Sequence, residues 1–91
     1  MMGLRTVWEI DVPTEHRQDS SRKGVHVFTG LAENGNDAFA AALRAYEIAQ
    51  LHASSGRPIP CGTRRVDWSA RGLRPDWELR WDRAETKQIV L

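Results

Sequence analysis

The stretch DAFAAALRAYEIAQLHA, residues 37–53, decides the fold, because it predicts one long helix in a chain whose other patterns are those of strands. It is rich in alanine, the residue with the highest helix propensity. Apolar residues recur at the i, i+3, i+4, i+7 spacing of a helix that buries one face. That face comprises Phe39, Ala42, Leu43, Tyr46 and Ala49, widened by Ala38, Ala41, Ala45 and Ile48. Arg44 and Glu47 mark the solvent side.

Both ends of this helix carry local signals. Asn36 is the predicted N-cap, because its short side chain can accept a bond from a free backbone N–H. Gly56 lies just past the last turn, where a left-handed cap favours glycine. The prolines of GRPIPCG, residues 56–62, cannot continue a helix and predict a rigid connection.

Two strands are predicted before the helix. LRTVWEIDV, residues 4–12, alternates with a period of two, and Pro13 is expected to end it. Residues 14–23 contain no apolar side chain and predict a solvated connection. GVHVFTGL, residues 24–31, supplies the second strand, with Val25 and Val27 expected in the core.

After the helix, RRVDWSARGLRPDWELRW, residues 64–81, predicts a hairpin of two strands that bury their tryptophans. Val66, Trp68 and Ala70 alternate with polar residues, and so do Trp77, Leu79 and Trp81. The favoured register pairs Asp67 with Arg80 and Arg65 with Asp82, whereas a register two residues tighter opposes like charges. The tail TKQIVL, residues 86–91, could add a short further strand or dock on a neighbour.

These patterns predict a single α+β domain over residues 1–91, with one helix packed on a mostly antiparallel sheet of four or five strands. The expected order is β-β-α-β-β, with an optional final strand. The predicted core contains Trp8, Val25, Val27, Phe39, Leu43, Tyr46, Trp68, Trp77, Leu79 and Trp81.

Composition narrows the functional classes. Hydrophobic residues make up 41% of the chain and charged residues 27%, which is an ordinary globular mixture. The formal net charge is +1, so no general attraction to nucleic acid or to an anionic membrane is implied. No apolar run approaches the roughly 18 residues of a membrane span, and no secretory signal is visible, so a cytoplasmic location is expected.

Reactive side chains are few, and no motif frames them. The one cysteine, Cys61, could pair with His26 or His52 as a nucleophile, but a lone cysteine is more often a small buried hydrophobe. His16, His26 and His52 lack the close spacing of zinc ligands. The sequence therefore predicts no catalytic residue, no metal site and no cofactor.

The arginines offer a second kind of site. Arg71 and Arg74 lie at the tip of the predicted hairpin, and Asp76 is the one obvious acidic neighbour. Phosphate groups are bound by such side chains. The candidate anion or nucleic-acid contacts are Arg64, Arg71, Arg74 and Arg83, with Arg22 and Lys23 in the first loop.

Residues 25–60 resemble the HicB-type antitoxin domain in their strand, turn, alanine-rich helix and Gly-x-Pro-x-Pro connection. The matching positions are Gly35, Ala38, Ala42, Gly56, Pro58 and Pro60. TGLAENG, residues 29–35, stands where that family has a Pro-Asp-Leu-Pro-Gly-like stretch, and the family's glutamate before the helix alanine is absent. HicB-type proteins mask a small RNase toxin, so the resemblance implies a protein-binding or regulatory module.

The expected function is thus a small non-catalytic binding or regulatory module that acts through protein contacts. A sheet edge provides the physical route, and a homodimer is one possible form. The alternative is a nucleic-acid-binding module that uses the arginines named above, and a small enzyme ranks third.

Overall fold

The computed structural model describes residues 5–60, 67–70, 73–74 and 76–89. One helix packs on one face of a four-stranded antiparallel sheet, which confirms the predicted two-layer α+β class. The strands are β1 (Thr6–His16), β2 (Lys23–Ala32), β3 (Trp77–Leu79) and β4 (Glu85–Gln88), and the helix is α1 (Gly35–Ser54). A 3₁₀ turn, Trp81–Arg83, separates β3 from β4.

β1 is the central strand. β2 pairs with it along nearly its whole length, from Thr6 opposite Ala32 to Glu15 opposite Lys23. On the other side of β1, β4 pairs with the first half and β3 with the last three residues. Of the two alternatives for the tail at residues 86–91, the short strand is the one present, as β4 over Glu85–Gln88.

Pro13 does not end β1, contrary to the prediction, because its missing N–H falls where no ladder bond is needed. The carbonyl of Pro13 accepts from the backbone N–H of Arg80, so this residue faces the β3 and β4 side of β1. There it lies between Asp11, the last partner of β4, and Thr14, the first partner of β3. The strand continues to His16, and the solvated connection shrinks from residues 14–23 to residues 17–22.

The core lies between the sheet and α1. Phe28, Ile10 and Val12 are its largest fully buried side chains. The helix contributes small residues to this layer, namely Ala38, Ala42 and Ala49. Trp81 fills the remaining space, with its ring 5.4 Å from that of Phe28 and 5.5 Å from that of Phe39. Leu79 is buried as predicted, whereas Trp8, Tyr46, Trp68 and Trp81 are only partly buried against this core.

β2 turns the opposite face inward from the one predicted. Phe28 is fully buried, whereas Val27 is 49% exposed and Val25 is 62% exposed. The alternation alone does not determine which face of the strand packs against the helix. The face with the larger side chain, Phe28, is the one that α1 covers. The prediction that Val25 and Val27 belong to the core was wrong.

The predicted hairpin between residues 64–70 and 77–81 was also wrong. β3 pairs with β1, with Leu79 opposite Thr14, and residues 68–70 are not part of a strand. Arg80 binds Glu15 at 3.0 Å rather than the predicted Asp67. β1 continues past Pro13 to His16, and its last three residues pair with β3. This pairing replaces the predicted hairpin. Arg65 and Val66 lie outside the described residues.

The helix ends agree with the sequence at one terminus only. The N-cap is Asn34, two residues before the predicted Asn36, and its side-chain oxygen accepts from the backbone N–H of Asp37 at 2.9 Å. At the other end Gly56 has φ +70°, which confirms the predicted left-handed glycine cap.

Candidate functional site

The outer edge of β2 presents unpaired backbone groups. Opposite residues of an antiparallel pair alternate between exchanging hydrogen bonds and pointing their N–H and C=O groups away from each other. The carbonyls of Val7 and Pro13 accept from Ile89 and Arg80, so odd-numbered residues of β1 point away from β2. Their partners in β2 are also odd-numbered. The backbone groups of Val25, Val27 and Thr29 therefore point outward.

Within the described ranges, β1 is the one strand that pairs with β2. The ten-residue strand thus lies at the edge of the sheet over its full length. Between Gly24 and Ala32 it carries no Lys, Arg, Asp or Glu. Long uncharged edges of this kind are templates for pairing with another strand.

The side chains of the same odd-numbered residues form an apolar strip on the face of the sheet that α1 does not cover. Val25, Val27 and Leu31 are all exposed on this face. Val25 and Val27 thus each offer an exposed apolar side chain and, at the edge, an outward-pointing N–H and C=O. Strand-adding partners use backbone bonds for affinity and alternate side chains for specificity.

Trp68 closes one end of this edge. Its indole N–H donates to the carbonyl of Leu31 at 2.9 Å, which occupies one of the outward-pointing acceptors. Its ring lies against Gly30, where an added Cβ would overlap the ring atoms. Among the described residues, none pairs with the outer side of β2 from Lys23 to Thr29, and we refer to residues 23–29 as the open edge.

The opposite edge of the sheet has a different construction. β3 and β4 have three and four residues, and the 3₁₀ turn interrupts them. The Arg80 guanidinium bonds Glu15 at 3.0 Å and also lies 3.9 Å from Glu78. The hydrogen bond from Arg80 lowers the pKa of the Glu15 carboxyl below its ordinary value. Lys87 bonds Asp11 at 2.9 Å, which raises the pKa of the lysine ammonium.

His26 lies in the middle of the open edge, with its side chain on the helix side. Its ring packs 4.6 Å from the ring of Phe28, and burial lowers the pKa of the imidazole. The Nε2 atom is buried and has no hydrogen-bond partner in the described part of the chain. A buried polar atom of this kind is costly unless something else satisfies it.

The structure brings some of the predicted anion contacts together around Trp77. The Arg22 guanidinium lies 5.6 Å from the centre of the Trp77 ring. Arg74 is exposed and lines two adjoining cavities with Trp77, of about 250 and 520 Å³. Apolar side chains from the end of α1 and from residues 59 and 73 line most of the larger one.

The remaining predicted contacts are not part of that cluster or are not described. The Lys23 ammonium lies 3.9 Å from Glu15, and Arg83, which is exposed in the 3₁₀ turn, also lowers the pKa of the Glu15 carboxyl. These two cations therefore face an acidic partner on the sheet. Arg64 and Arg71 lie outside the described residues, and so does Cys61.

The histidines have separate environments. His16 was expected in a loop but is the last residue of β1. Its ring meets the Trp77 ring edge-on, with 5.3 Å between the ring centres. The Nδ1 atom of His52 lies 2.9 Å from the carbonyl of Pro58, which ties the helix end to the following segment. No group of three potential metal ligands occurs among the residues for which positions are described.

The open edge was not predicted from the sequence, although the sequence contains one signal for it. The run from residue 24 to residue 32 has no charged side chain, whereas the stretches that form β3 and β4 contain Glu78, Glu85 and Lys87. The role of Trp68 had no local signal, because its partners Gly30 and Leu31 lie almost forty residues earlier in the sequence.

Comparisons with known proteins give no relative: no family model, no curated protein and no solved structure matches this chain. Among the described residues, no helix combines the length and the apolar character needed to cross a bilayer.

Proposed function

We propose that this protein is a non-catalytic binding module that takes up a strand of a protein partner at the open edge of β2. The observation that carries the proposal is that Val25 and Val27 each combine outward-pointing backbone groups with an exposed apolar side chain. Both halves of strand recognition are present on the same residues.

Two further features support this function. Exposed flat edges are normally blunted by charge, proline or short length, and β2 carries none of these between Gly24 and Ala32. The resemblance of residues 25–60 to the HicB-type antitoxin domain also favours a regulatory protein that binds another protein.

A labelled peptide tests whether the edge accepts a strand. The probe is a fluorescent peptide of sequence KGVHVFTGLA, which is β2 itself, titrated with dilute protein and followed by anisotropy. We expect saturable binding to the unchanged protein. Val25→Lys should weaken binding by at least about tenfold, because it places a solvated charge where the strand must dock.

The matched control is Leu51→Lys on the exposed side of α1. Leu51 is 63% exposed and Val25 is 62% exposed, so the two substitutions add the same charge at equal exposure. Binding to the Leu51→Lys protein should equal binding to the unchanged protein. Equal binding by all three proteins, or binding by none, would contradict the proposal.

A second candidate function is contact with nucleic acid at the cluster of Arg22, Arg74 and Trp77. The observation that favours it is the guanidinium of Arg22 over the Trp77 ring, with the exposed Arg74 beside the same ring. Arginines interleaved with an aromatic ring can bind single-stranded nucleic acid by stacking and phosphate contacts.

An oligonucleotide titration separates this function from the first. If the cluster binds nucleic acid, a labelled single strand should bind at low salt, and affinity should fall steeply as salt rises. Arg22→Glu with Arg74→Glu should abolish that binding, whereas Arg44→Glu on the exposed side of α1 should preserve most of it. Absence of binding at low salt removes this candidate.

A further inference from the structure

We propose that the partner strand is the open edge of a second copy of this chain, paired antiparallel so that His26 lies opposite His26 of the second copy, and that acid dissociates the pair. This inference rests on the proposed strand-accepting function and names its partner.

The two ends of the open edge set the register. β2 begins at Lys23, directly after a loop that is closed by a hydrogen bond from the N–H of His16 to the carbonyl of Arg22. At the other end of the open edge, the indole N–H of Trp68 donates to the Leu31 carbonyl, and the Trp68 ring covers Gly30. The free stretch is residues 23–29, and a stretch paired antiparallel with itself about a two-fold axis has its middle residue on that axis. The middle residue is His26.

The outward direction of the backbone groups agrees with this register. Centring on His26 places Val25 opposite Val27 of the second copy, and Lys23 opposite Thr29. All four are odd-numbered residues, whose N–H and C=O groups point to the free edge, so each pair can exchange hydrogen bonds. A register centred on Val27 would pair Lys23 with Leu31, whose carbonyl is already bonded to Trp68.

Side chains are compatible across the same interface. On the uncovered face the two valines of each chain meet those of the other, and the lysine meets a threonine rather than a like charge. Valines opposite each other bury apolar surface, and like charges opposite each other are unfavourable. The contact is small, in the range below about 1,200 Å² that is typical of weak association.

The paired histidines make association dependent on protonation. Opposite residues that do not exchange backbone bonds bring their side chains close, with Cβ atoms about 4.5–5.5 Å apart. Neutral imidazoles there can hydrogen-bond, and the buried Nε2 of His26 lacks a partner in the described part of the chain. Two imidazolium ions would repel each other.

The surroundings of His26 add no negative charge among the described residues that line its cavity. β1 and β3 present Thr14, Trp77 and Leu79 there, and the segment at residues 73–74 presents Leu73 and Arg74. Arg74 is the charged group of this set. Burial already lowers the pKa of His26 below the ordinary 6.5. The imidazole is therefore neutral at pH 7.5, where we expect the stronger association, and takes up a proton only under more acidic conditions than an ordinary histidine.

Sedimentation equilibrium over a range of protein concentrations tests the inference. The unchanged protein should associate to a dimer at pH 7.5, with a dissociation constant at least about tenfold higher at pH 5. His26→Gln should remove that pH dependence while the dimer persists, and His52→Gln, the matched control, should retain it. Val25→Lys should be monomeric at both values, whereas Leu51→Lys should behave as the unchanged protein.

The outcomes separate this inference from the function on which it rests. A protein that stays monomeric at pH 7.5 but binds the β2 peptide would overturn the second copy as partner and leave strand acceptance intact. A dimer that Val25→Lys does not disturb would overturn both the register and the edge as its location. Equal dissociation constants at the two pH values would overturn the role of His26.

Discussion

The two edges of the sheet differ in length, in charge and in what occupies their hydrogen bonds. The β2 edge is one strand of ten residues, with no charged side chain between Gly24 and Ala32. The other edge consists of two short strands separated by a 3₁₀ turn. Ion pairs join these strands to β1, with Arg80 bound to Glu15 and Lys87 to Asp11. Both edges flank the same central strand.

The difference shows which edge is available for another chain. Short charged strands are a common way to keep a sheet edge from pairing with a neighbour. One edge of this sheet has that protection, whereas at the other edge Trp68 is the one described residue that covers an end of the strand. A partner strand would therefore meet the fewest obstacles at residues 23–29.

The largest loss of stability is expected for a substitution on the face of β2 that α1 covers. Phe28 is fully buried and Val27, its neighbour in the strand, is 49% exposed. Phe28→Ala should lower the free energy of unfolding by about 3–5 kcal/mol, because it leaves a cavity in the core. Val27→Ala should lower it by less than about 1 kcal/mol in dilute, monomeric protein.

Urea unfolding followed by far-UV circular dichroism measures both variants under one set of conditions. If Val27→Ala destabilises the dilute protein as much as Phe28→Ala does, then the strip on the uncovered face is part of the core of a single chain. That result would remove the basis for treating it as a contact surface.

A smaller effect is expected where Trp68 covers the end of the β2 edge. Gly30→Ala adds a Cβ that would overlap the indole ring, so the ring must move away from the strand. We expect the free energy of unfolding to fall by about 1–3 kcal/mol. Tryptophan fluorescence should also shift to longer wavelength as the indole becomes more exposed.

A matched substitution distinguishes the effect of displacing the Trp68 ring from the general cost of replacing a glycine in β2. Gly24→Ala meets only ordinary or slightly tight neighbours, the nearest being the Thr14 hydroxyl at 3.1 Å. Its stability should change less than that of Gly30→Ala. Similar losses for the two variants would mean that Trp68 does not hold this end of the edge.

The smallest effect concerns the protected edge, where Arg80 lowers the pKa of the Glu15 carboxyl through a hydrogen bond. A carboxyl whose pKa is lower in the folded state than in the unfolded state stabilises the fold. This stabilisation is fully present when the pH is above the ordinary pKa of 4.5. That stabilisation is lost as the pH falls through the lower, folded value. Glu15→Gln should therefore reduce the drop in melting temperature between pH 6 and pH 3.

The exposed Glu33, in the turn before α1, provides the control for that change. Glu33→Gln should leave the acid-induced drop in melting temperature close to that of the unchanged protein. If both variants reduce the drop equally, the Glu15–Arg80 pair makes no particular contribution to this edge.

Local patterns predicted the elements of this fold better than their partners. The alternation around Trp8 and Ile10, the alanine-rich helix and the cap at Gly56 depend on neighbouring residues, and the structure confirms them. The choice of a hairpin depended on a charge-matching rule for residues 65–82. Such a rule ranks the registers of two chosen strands but does not decide which strands pair, and Arg80 bonds Glu15, a residue far away in the sequence.

The candidate site could not be derived from the sequence for a related reason. A strand with alternating residues has two possible inward faces, and the choice between Phe28 and its valine neighbours depends on where the helix packs. Whether β2 lies at an edge depends on which strands pair with β1. Both facts are set by long-range packing rather than by local propensity.

Amide hydrogen exchange, resolved by residue in NMR spectra at several protein concentrations, tests the central claim most directly. The N–H groups of His26 and Phe28 bond to β1 and should exchange slowly at every concentration. Those of Val25, Val27 and Thr29 point to the open edge, and we predict that their exchange slows as the concentration rises at pH 7.5. Rates at these three amides that do not change with concentration, in a protein that otherwise associates, would contradict pairing at the β2 edge.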